Sequence, residues 1–307
     1  MLKEFEFKSF NERDMVQAWI YGPMSEPKGI IQLIHGFGEH SRRYIHMIDR
    51  FLEADYIVVC DDHVGHGKTA IVNNNSWGNW GDKGYMTMRE DEHTLTGIAK
   101  EMFPGLPYYI FGHSMGSFIT RDYMANYGDE IDGVVICGTG RPFPNAVNVK
   151  EMIKGFVDAG RGDSTDPEAV GAVLGWFADK IPNTVVGNEW VCGDPWVQKD
   201  HIADPFNAFS QPISNRALYY FSDMCLCVDG EEWAKKVPTD VPFLNIAGDG
   251  DPVGDFGNGV KEVSTFLENT GHSVKTILYP GRRHEIFNYK EIKDQVIDDI
   301  ISFLQTL

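Results

Sequence analysis

The stretch Tyr108-Tyr109-Ile110-Phe111-Gly112-His113-Ser114-Met115-Gly116 decides the fold. A short apolar run ends in a G-x-S-x-G and enters a helical pattern, which predicts a buried strand, a sharp turn and a helix. The two glycines have a steric reason. A turn this tight presses backbone against the serine, and a Cβ at Gly112 or Gly116 would clash. The expected result is a Ser114 hydroxyl held at the C-terminal edge of a sheet, above a helix N-terminus.

Working outward, residues 29–35, 56–60 and 134–137 are further apolar runs, as in strands covered on both faces. Residues 242–247 and 274–279 repeat the pattern near the end of the chain. Helical periodicity falls between them, at about 43–54, 87–102, 118–127, 259–270 and 289–304. This alternation predicts an α/β fold, a mostly parallel central sheet flanked by helices. Residues 4–9 and 16–21 read as two strands of an antiparallel edge. From about 138 to 238 no buried strand is expected. An insertion of roughly a hundred residues is too long for a structureless loop, so it reads as a helical cap. The expected organisation is core at 1–138 and 239–307, with the cap at 139–238.

Composition narrows the partners. The 307 residues carry 27 Lys+Arg against 45 Asp+Glu, a formal net charge of −18. So acidic a surface repels phosphate backbones and anionic membrane faces, which argues against nucleic acid. No apolar run approaches the roughly 20 residues of a spanning helix, so no stable membrane insertion is expected. Five cysteines imply free thiols, and Cys225-Leu226-Cys227 lacks a second pair at metal-ligand spacing. The charged Met1–Glu6 segment has no apolar core of a secretory signal. A reducing cytoplasm is the expected setting. Nothing in the sequence reports an oligomeric state.

A serine hydroxyl needs a base to take its proton. His284, in Gly281-Arg282-Arg283-His284-Glu285, follows the last strand, where a loop can reach back over the sheet edge. His113 sits inside the turn and is expected to point away from Ser114. The base needs a carboxylate to fix its tautomer. Gly248-Asp249-Gly250-Asp251-Pro252 offers two, and Asp251 is preferred over Asp249 because it lies further out along the loop. Asp251 precedes His284 by 33 residues, one helix plus one strand, which brings both to one sheet edge. The oxyanion donors expected are the backbone N–H of Met115 and that of Phe37, in His35-Gly36-Phe37-Gly38-Glu39-His40. His35 and His40 lack a third ligand at sensible spacing, so no metal is expected, nor an organic cofactor. His66 reads as a structural hydrogen-bonder.

Three segments carry a family resemblance: residues 35–44 (HGFGEHSRRY), 62–69 (DHVGHGKT) and the Gly112–Gly116 turn. Together they resemble the monoacylglycerol lipase/lysophospholipase branch of the α/β-hydrolases, and the likeness continues through Gly248–Val253 and the His284 loop. It implies a serine ester hydrolase acting on a small mono-acyl ester, monoacylglycerol or lysophospholipid-like, through an acyl-enzyme on Ser114, His284 and Asp251. Val64 and Thr69 depart from the usual D-x-R-G-H-G-x-S. The cap is rich in Phe and Trp. Trp176, Phe177, Trp190 and Phe209 are the expected substrate-binding residues, with Phe143, Phe221 and Trp196 among further aromatics of the same stretch. A thioesterase or acyltransferase on the same triad, or a receptor-like protein with incidental turnover, are the competing expectations.

Overall fold

Residues 30–34, Ile30-Ile31-Gln32-Leu33-Ile34, show how the sheet is built, because alternate side chains enter opposite cores. Ile30 and Ile34 join one, Ile31 and Leu33 the other, as the two-residue period of a strand requires. The computed structural model describes residues 1–307 except Ala208 and Ser210. Among the described residues eight strands form one sheet. They are β1 (Leu2–Lys8), β2 (Met15–Tyr21), β3 (Gly29–Ile34), β4 (Tyr56–Asp62), β5 (Tyr108–His113), β6 (Gly133–Cys137), β7 (Phe243–Gly248) and β8 (Val274–Tyr279). Their order is β1-β2-β4-β3-β5-β6-β7-β8. β2 runs antiparallel both to β1 and to β4, and from β4 onward every pairing is parallel. β3 through β7 are buried along their whole length, which explains their unbroken apolar runs.

The helices are α1 (Ile45–Glu53), α2 (Gly67–Val72), α3 (Met86–Met102), α4 (Met115–Tyr127), α5 (Ala146–Phe156), α6 (Pro167–Val170), α7 (Pro195–Ala203), α8 (Asn215–Cys227), α9 (Glu231–Ala234), α10 (Asn258–Asn269) and α11 (Lys293–Leu304). One face of the sheet is covered by α1 and α11, through Met47, Ile48, Phe51, Val296, Ile297 and Ile300. The other face packs on α3, α4 and α8, through Leu95, Ile119, Leu218 and Phe221. Between β6 and β7 the described residues form helices and turns without a strand.

Two helix starts differ from the sequence reading by three residues or more, and α2 has no counterpart in it. α4 starts at Met115, directly after the serine, because the sharp turn leaves no room for a linker. α2 lies in the Gly/Asn-rich stretch between β4 and α3, where its six residues are too few to show a period. α11 begins at Lys293 and not at 289, since the Tyr289 hydroxyl accepts from Arg283 N–H (2.9 Å) and Gly193 N–H (2.6 Å) and holds that residue in the preceding loop.

One buried side chain of α4 ties both ends of the inserted segment to the core. The Arg121 guanidinium donates to Gly140 O at 2.9 Å and to Val228 O, between the rings of Phe118 and Trp233. Burial brings its pKa down to about 10, which leaves it charged at neutral pH, held by carbonyl dipoles and ring faces.

Candidate active site

Ser114 holds φ 53° and ψ −119°, a conformation costly for a residue with a side chain. Its neighbours enforce it. A Cβ on Gly116 would strike the carbonyl oxygens of Ile34 and His35, and one on Gly112 would strike Thr120 Oγ1 and Gly116 O. Ser114 N–H donates to Cys137 O (2.9 Å), and its carbonyl accepts from Ser117 N–H (2.8 Å) and Oγ–H (2.6 Å). The strained turn is therefore pinned at both ends.

His284 and Asp251 meet as the spacing predicts. Nδ1 of His284 lies 2.9 Å from Asp251 Oδ2, and Asp251 Oδ1 accepts from Val253 N–H at 2.9 Å. A carboxylate only accepts, so the neutral ring carries its proton on Nδ1 and keeps a lone pair on Nε2. Burial acts to lower the His284 pKa, but the Asp251 charge and hydrogen bond outweigh it and raise the pKa above the ordinary value. The His284 loop is held by the inserted segment, through Glu285 N–H to Val191 O (2.8 Å), and by Arg43, which donates to both Glu285 oxygens at 2.9 and 3.0 Å. Gly138, at φ +61°, makes space for the imidazole, since a Cβ there would come within 3.1 Å of it. Asp249 instead accepts from Gly281 N–H and braces the turn before His284. Among the described residues no hydrogen bond joins Ser114 Oγ to His284.

His113 turns away from Ser114 into a buried cluster, with Nδ1 2.9 Å from Glu39 Oε1 and 2.7 Å from the Tyr44 hydroxyl. The same Glu39 oxygen accepts from Gly36 N–H at 2.6 Å, which draws the loop after β3 against the elbow. A Cβ on Gly36 would stand 3.0 Å from Ser114 Cβ. Among the described residues neither the Phe37 N–H nor the Met115 N–H has a protein acceptor. Two backbone donors are thus left free beside the serine.

Ser114, Phe37 and Met115 open on an apolar pocket. Trp176, Phe177, Trp190 and Phe209 all line it, as do Phe143 and Phe221, whereas Trp196 is 74% exposed on α7. Phe118, Val173, Leu174, Cys225 and Val253 line it too and were not among the expected substrate-binding residues. Cys225 was findable, since it stands four residues after Phe221 and so shares its helix face. Val173 and Leu174 belong to an irregular helical turn without a readable period. Arg141 reaches the rim already paired with Asp229 (2.5 Å) and Glu262 (2.6 Å).

The remaining histidines of the motifs have structural partners. His40 Nε2 lies 2.7 Å from Asp204 Oδ2, and His66 Nδ1 donates to Val64 O at 3.0 Å. Burial and the neighbouring His63 push the His66 pKa down to about 4. Thr69 accepts from Gln17 N–H (2.9 Å) and donates to Asp62 O, while Val64 is fully buried. Asp61, His63 and Glu92 are the described residues whose donor atoms converge enough to hold a metal, all within 4.8 Å. His63 Nδ1 lies 3.1 Å from Asp61 and 3.2 Å from Glu92. The set also suits protons. The Asp61 charge holds the His63 pKa up against burial, and burial beside Asp61 raises that of Glu92. Among the described residues no helix is long and apolar enough to cross a membrane.

Comparison with known proteins fits this architecture. The family described as serine aminopeptidase, S33 (Hydrolase_4) matches residues 25–291. A monoacylglycerol lipase of Mycolicibacterium smegmatis is 30% identical over 293 residues, covering 93% of this chain and 91% of that protein. A highly thermostable carboxyl esterase from Bacillus coagulans, solved in complex with glycerol, superposes with a TM-score of 0.97 at 51% identity, covering 99% of this chain and 98% of that one. A lipase solved in an open form gives a TM-score of 0.91 at 37% identity, over 100% and 99% of the two chains. With its sheet order and its strand–serine–helix turn, this chain belongs to the S33 (Hydrolase_4) family of α/β-hydrolases, in the monoacylglycerol lipase-like branch, and is a carboxylic ester hydrolase.

Proposed function

We propose that the chain hydrolyses a small mono-acyl ester with an uncharged alcohol, of the monoacylglycerol type, through a Ser114–His284–Asp251 triad. The observation that carries the reading is the buried Asp251–His284 pair at 2.9 Å, joined by one sheet edge to a serine in a strained turn at an apolar cavity. Ser114 Oγ attacks the ester carbonyl as His284 Nε2 takes its proton. The Phe37 and Met115 N–H groups hold the oxyanion, and His284 then gives the proton to the leaving alcohol. Water, deprotonated by the same Nε2, attacks the acyl-enzyme and releases the acid, returning Ser114.

Residues 139–238 act as the cap, whose aromatic side chains hold the acyl chain. Arg141, the cation at the cavity rim, is occupied by two carboxylates, which favours an uncharged glycerol ester over a lysophospholipid. The Mycolicibacterium relative, a monoacylglycerol lipase, supports the same class. The test is hydrolysis of p-nitrophenyl esters from acetate to palmitate, and of monoacylglycerol beside lysophosphatidylcholine, by wild type and Ser114→Ala. The expected result is loss of at least about a thousandfold in Ser114→Ala and preference for monoacylglycerol. Wild-type turnover in Ser114→Ala would remove the nucleophile, and faster hydrolysis of a thioester or transfer to an added alcohol would move the assignment to those chemistries.

A further inference from the structure

The oxyanion donor at Phe37 is one end of a trans peptide whose other end is the carbonyl of Gly36, and the environment of that carbonyl is unusual. His35 Nδ1 lies 2.8 Å from Gly36 O. His35 Nε2 lies 3.1 Å from the backbone N–H of His63. A backbone N–H can only donate, so Nε2 must be the bare nitrogen, and the proton of the neutral ring must sit on Nδ1, pointing at Gly36 O. The backbone just after β4 thus selects the tautomer. The ring is fully buried and stacks on His63 at a centroid distance of 3.8 Å. His63 in turn places Nε2 3.2 Å from the His35 carbonyl, while its Nδ1 faces the Asp61 and Glu92 carboxyls.

Two successive peptides are therefore fixed from behind. The 35–36 peptide is held by His63 at its carbonyl and by Glu39 at its N–H. The 36–37 peptide is held by His35 at its carbonyl, and its N–H is left over. In a trans peptide the C=O and N–H point in opposite directions, so anchoring the first aims the second. A hydrogen bond to the carbonyl also polarises the amide and makes its N–H a better donor.

We propose that His35 is a positioning residue of the oxyanion site, a neutral Nδ1–H donor that orients and polarises the Gly36–Phe37 peptide so that the Phe37 N–H meets the developing oxyanion. His63, with Asp61 and Glu92 behind it, holds the His35 ring in that tautomer and plane. The inference rests on the assignment of Phe37 N–H as an oxyanion donor. It does not require His35 to touch substrate.

Two substitutions separate the ends of the ring. His35→Asn puts an amide N–H at the Nδ1 position and keeps the donor to Gly36 O. His35→Gln reaches the Nε2 position and loses that donor. The measurements are kcat and KM on p-nitrophenyl butyrate, the Ki of an alkyl trifluoromethyl ketone, whose hemiketal oxygen fills the oxyanion site, and the thermal midpoint. His35→Gln is expected to lower kcat about 10- to 100-fold, a part of what deleting a whole oxyanion donor costs. KM should hold within threefold or so and Ki should rise by the same factor as kcat falls. His35→Asn should stay within about fivefold of wild type. Equal losses in both variants that follow the thermal midpoint, with Ki unmoved, would leave only a structural role and overturn the proposal. Wild-type kcat in His35→Gln would overturn it as well. The Phe37 assignment is tested separately in protein labelled with ¹⁵N-phenylalanine, its Phe37 amide identified by Phe37→Leu. That proton should move downfield when the hemiketal forms in wild type, and less so in His35→Gln. No shift in wild type would sink the Phe37 donor itself, whereas a full shift in both proteins would sink His35 alone.

Discussion

His284 and His63 are two of the histidines that this chain buries against carboxylates. His284 lies between β8 and the inserted segment, with Nδ1 2.9 Å from Asp251. His63 follows β4, with Nδ1 3.1 Å from Asp61 and 3.2 Å from Glu92. Both have pKa values raised by their acidic neighbours against the pull of burial. By burial and partner charge alone they are indistinguishable. They differ in the second nitrogen. His63 directs Nε2 to the His35 carbonyl, whereas His284 has no hydrogen bond at Nε2 among the described residues and packs on Trp190, a wall of the Ser114 cavity, at a centroid distance of 5.3 Å. An imidazole on a carboxylate is thus a common buried motif, and becomes a candidate base only when its other nitrogen is unspent and faces space for substrate.

The sharpest way to break this comparison is to neutralise each carboxylate in turn. Asp251→Asn should lower kcat by about 10⁴-fold, because the amide favours the wrong imidazole tautomer and cannot stabilise an imidazolium. Its thermal midpoint should change little by comparison. Asp61→Asn should do the reverse. It removes the charge that offsets the burial of His63, at a cost of about 3 kcal/mol or more in unfolding free energy. Its turnover, measured at a temperature where it is folded, should fall far less than that of Asp251→Asn. Denaturant titration and steady-state kinetics on both variants check this, and comparable losses of turnover would erase the distinction.

A smaller effect is expected from pH. The base must be neutral to accept a proton, so kcat/KM should fall tenfold per unit on the acid side of the His284 pKa. That limb should lie above the ordinary histidine value of about 6.5, because the pKa is raised. The same shift makes the folded state bind this proton more tightly than the unfolded chain. The stability contributed by His284 and His63 is therefore complete below the unfolded pKa and lost as pH rises through the folded one. His66 has the opposite sign. Its folded pKa is about 4, so the unfolded chain protonates first as pH falls and stability is lost between about 6.5 and 4. Fully developed, that gap amounts to about 3 kcal/mol. His66→Asn, which can keep the donor to Val64 O, should flatten this part of the pH–stability curve. An unchanged acid slope in that variant would show that His66 does not carry the linkage.

Much of this arrangement was legible because strands and sharp turns leave local signatures. The unbroken runs of β3 through β7 gave the parallel sheet, and glycines flanking Ser114 gave the elbow, since only crowding explains both. The pairing of β2 with β4 was not legible, because an alternating strand does not announce its second neighbour. The cavity was legible in its aromatics and not in Phe118, Val173 or Leu174, whose apolar side chains look the same in a core as on a wall. The Asp61–His63–Glu92 cluster escaped for another reason. Glu92 comes from α3, 29 residues after His63, and on a helix its carboxyl reads as a solvated charge until the fold buries it.

The smallest prediction sharpens the first comparison from inside one loop, where Asp249 and Asp251 stand two residues apart. Asp249 accepts one backbone N–H, that of Gly281, from the turn that carries His284. An amide oxygen accepts that bond as well as a carboxylate does in kind, though without the charge, so Asp249→Asn should cost well under about 1 kcal/mol. Its kcat should stay within about threefold of wild type. Asp249→Ala removes the acceptor and frees the turn. It should lose about 1 kcal/mol of stability and raise disorder at His284, a modest drop in kcat with KM unmoved. The pair separates a brace from a triad member by chemistry and not by distance. A brace tolerates loss of charge while the acceptor remains, whereas a residue that must stabilise an imidazolium does not. If Asp249→Asn proves as damaging as Asp251→Asn, the two carboxylates exchange roles, and the 2.9 Å contact between Asp251 and His284 becomes the structural one.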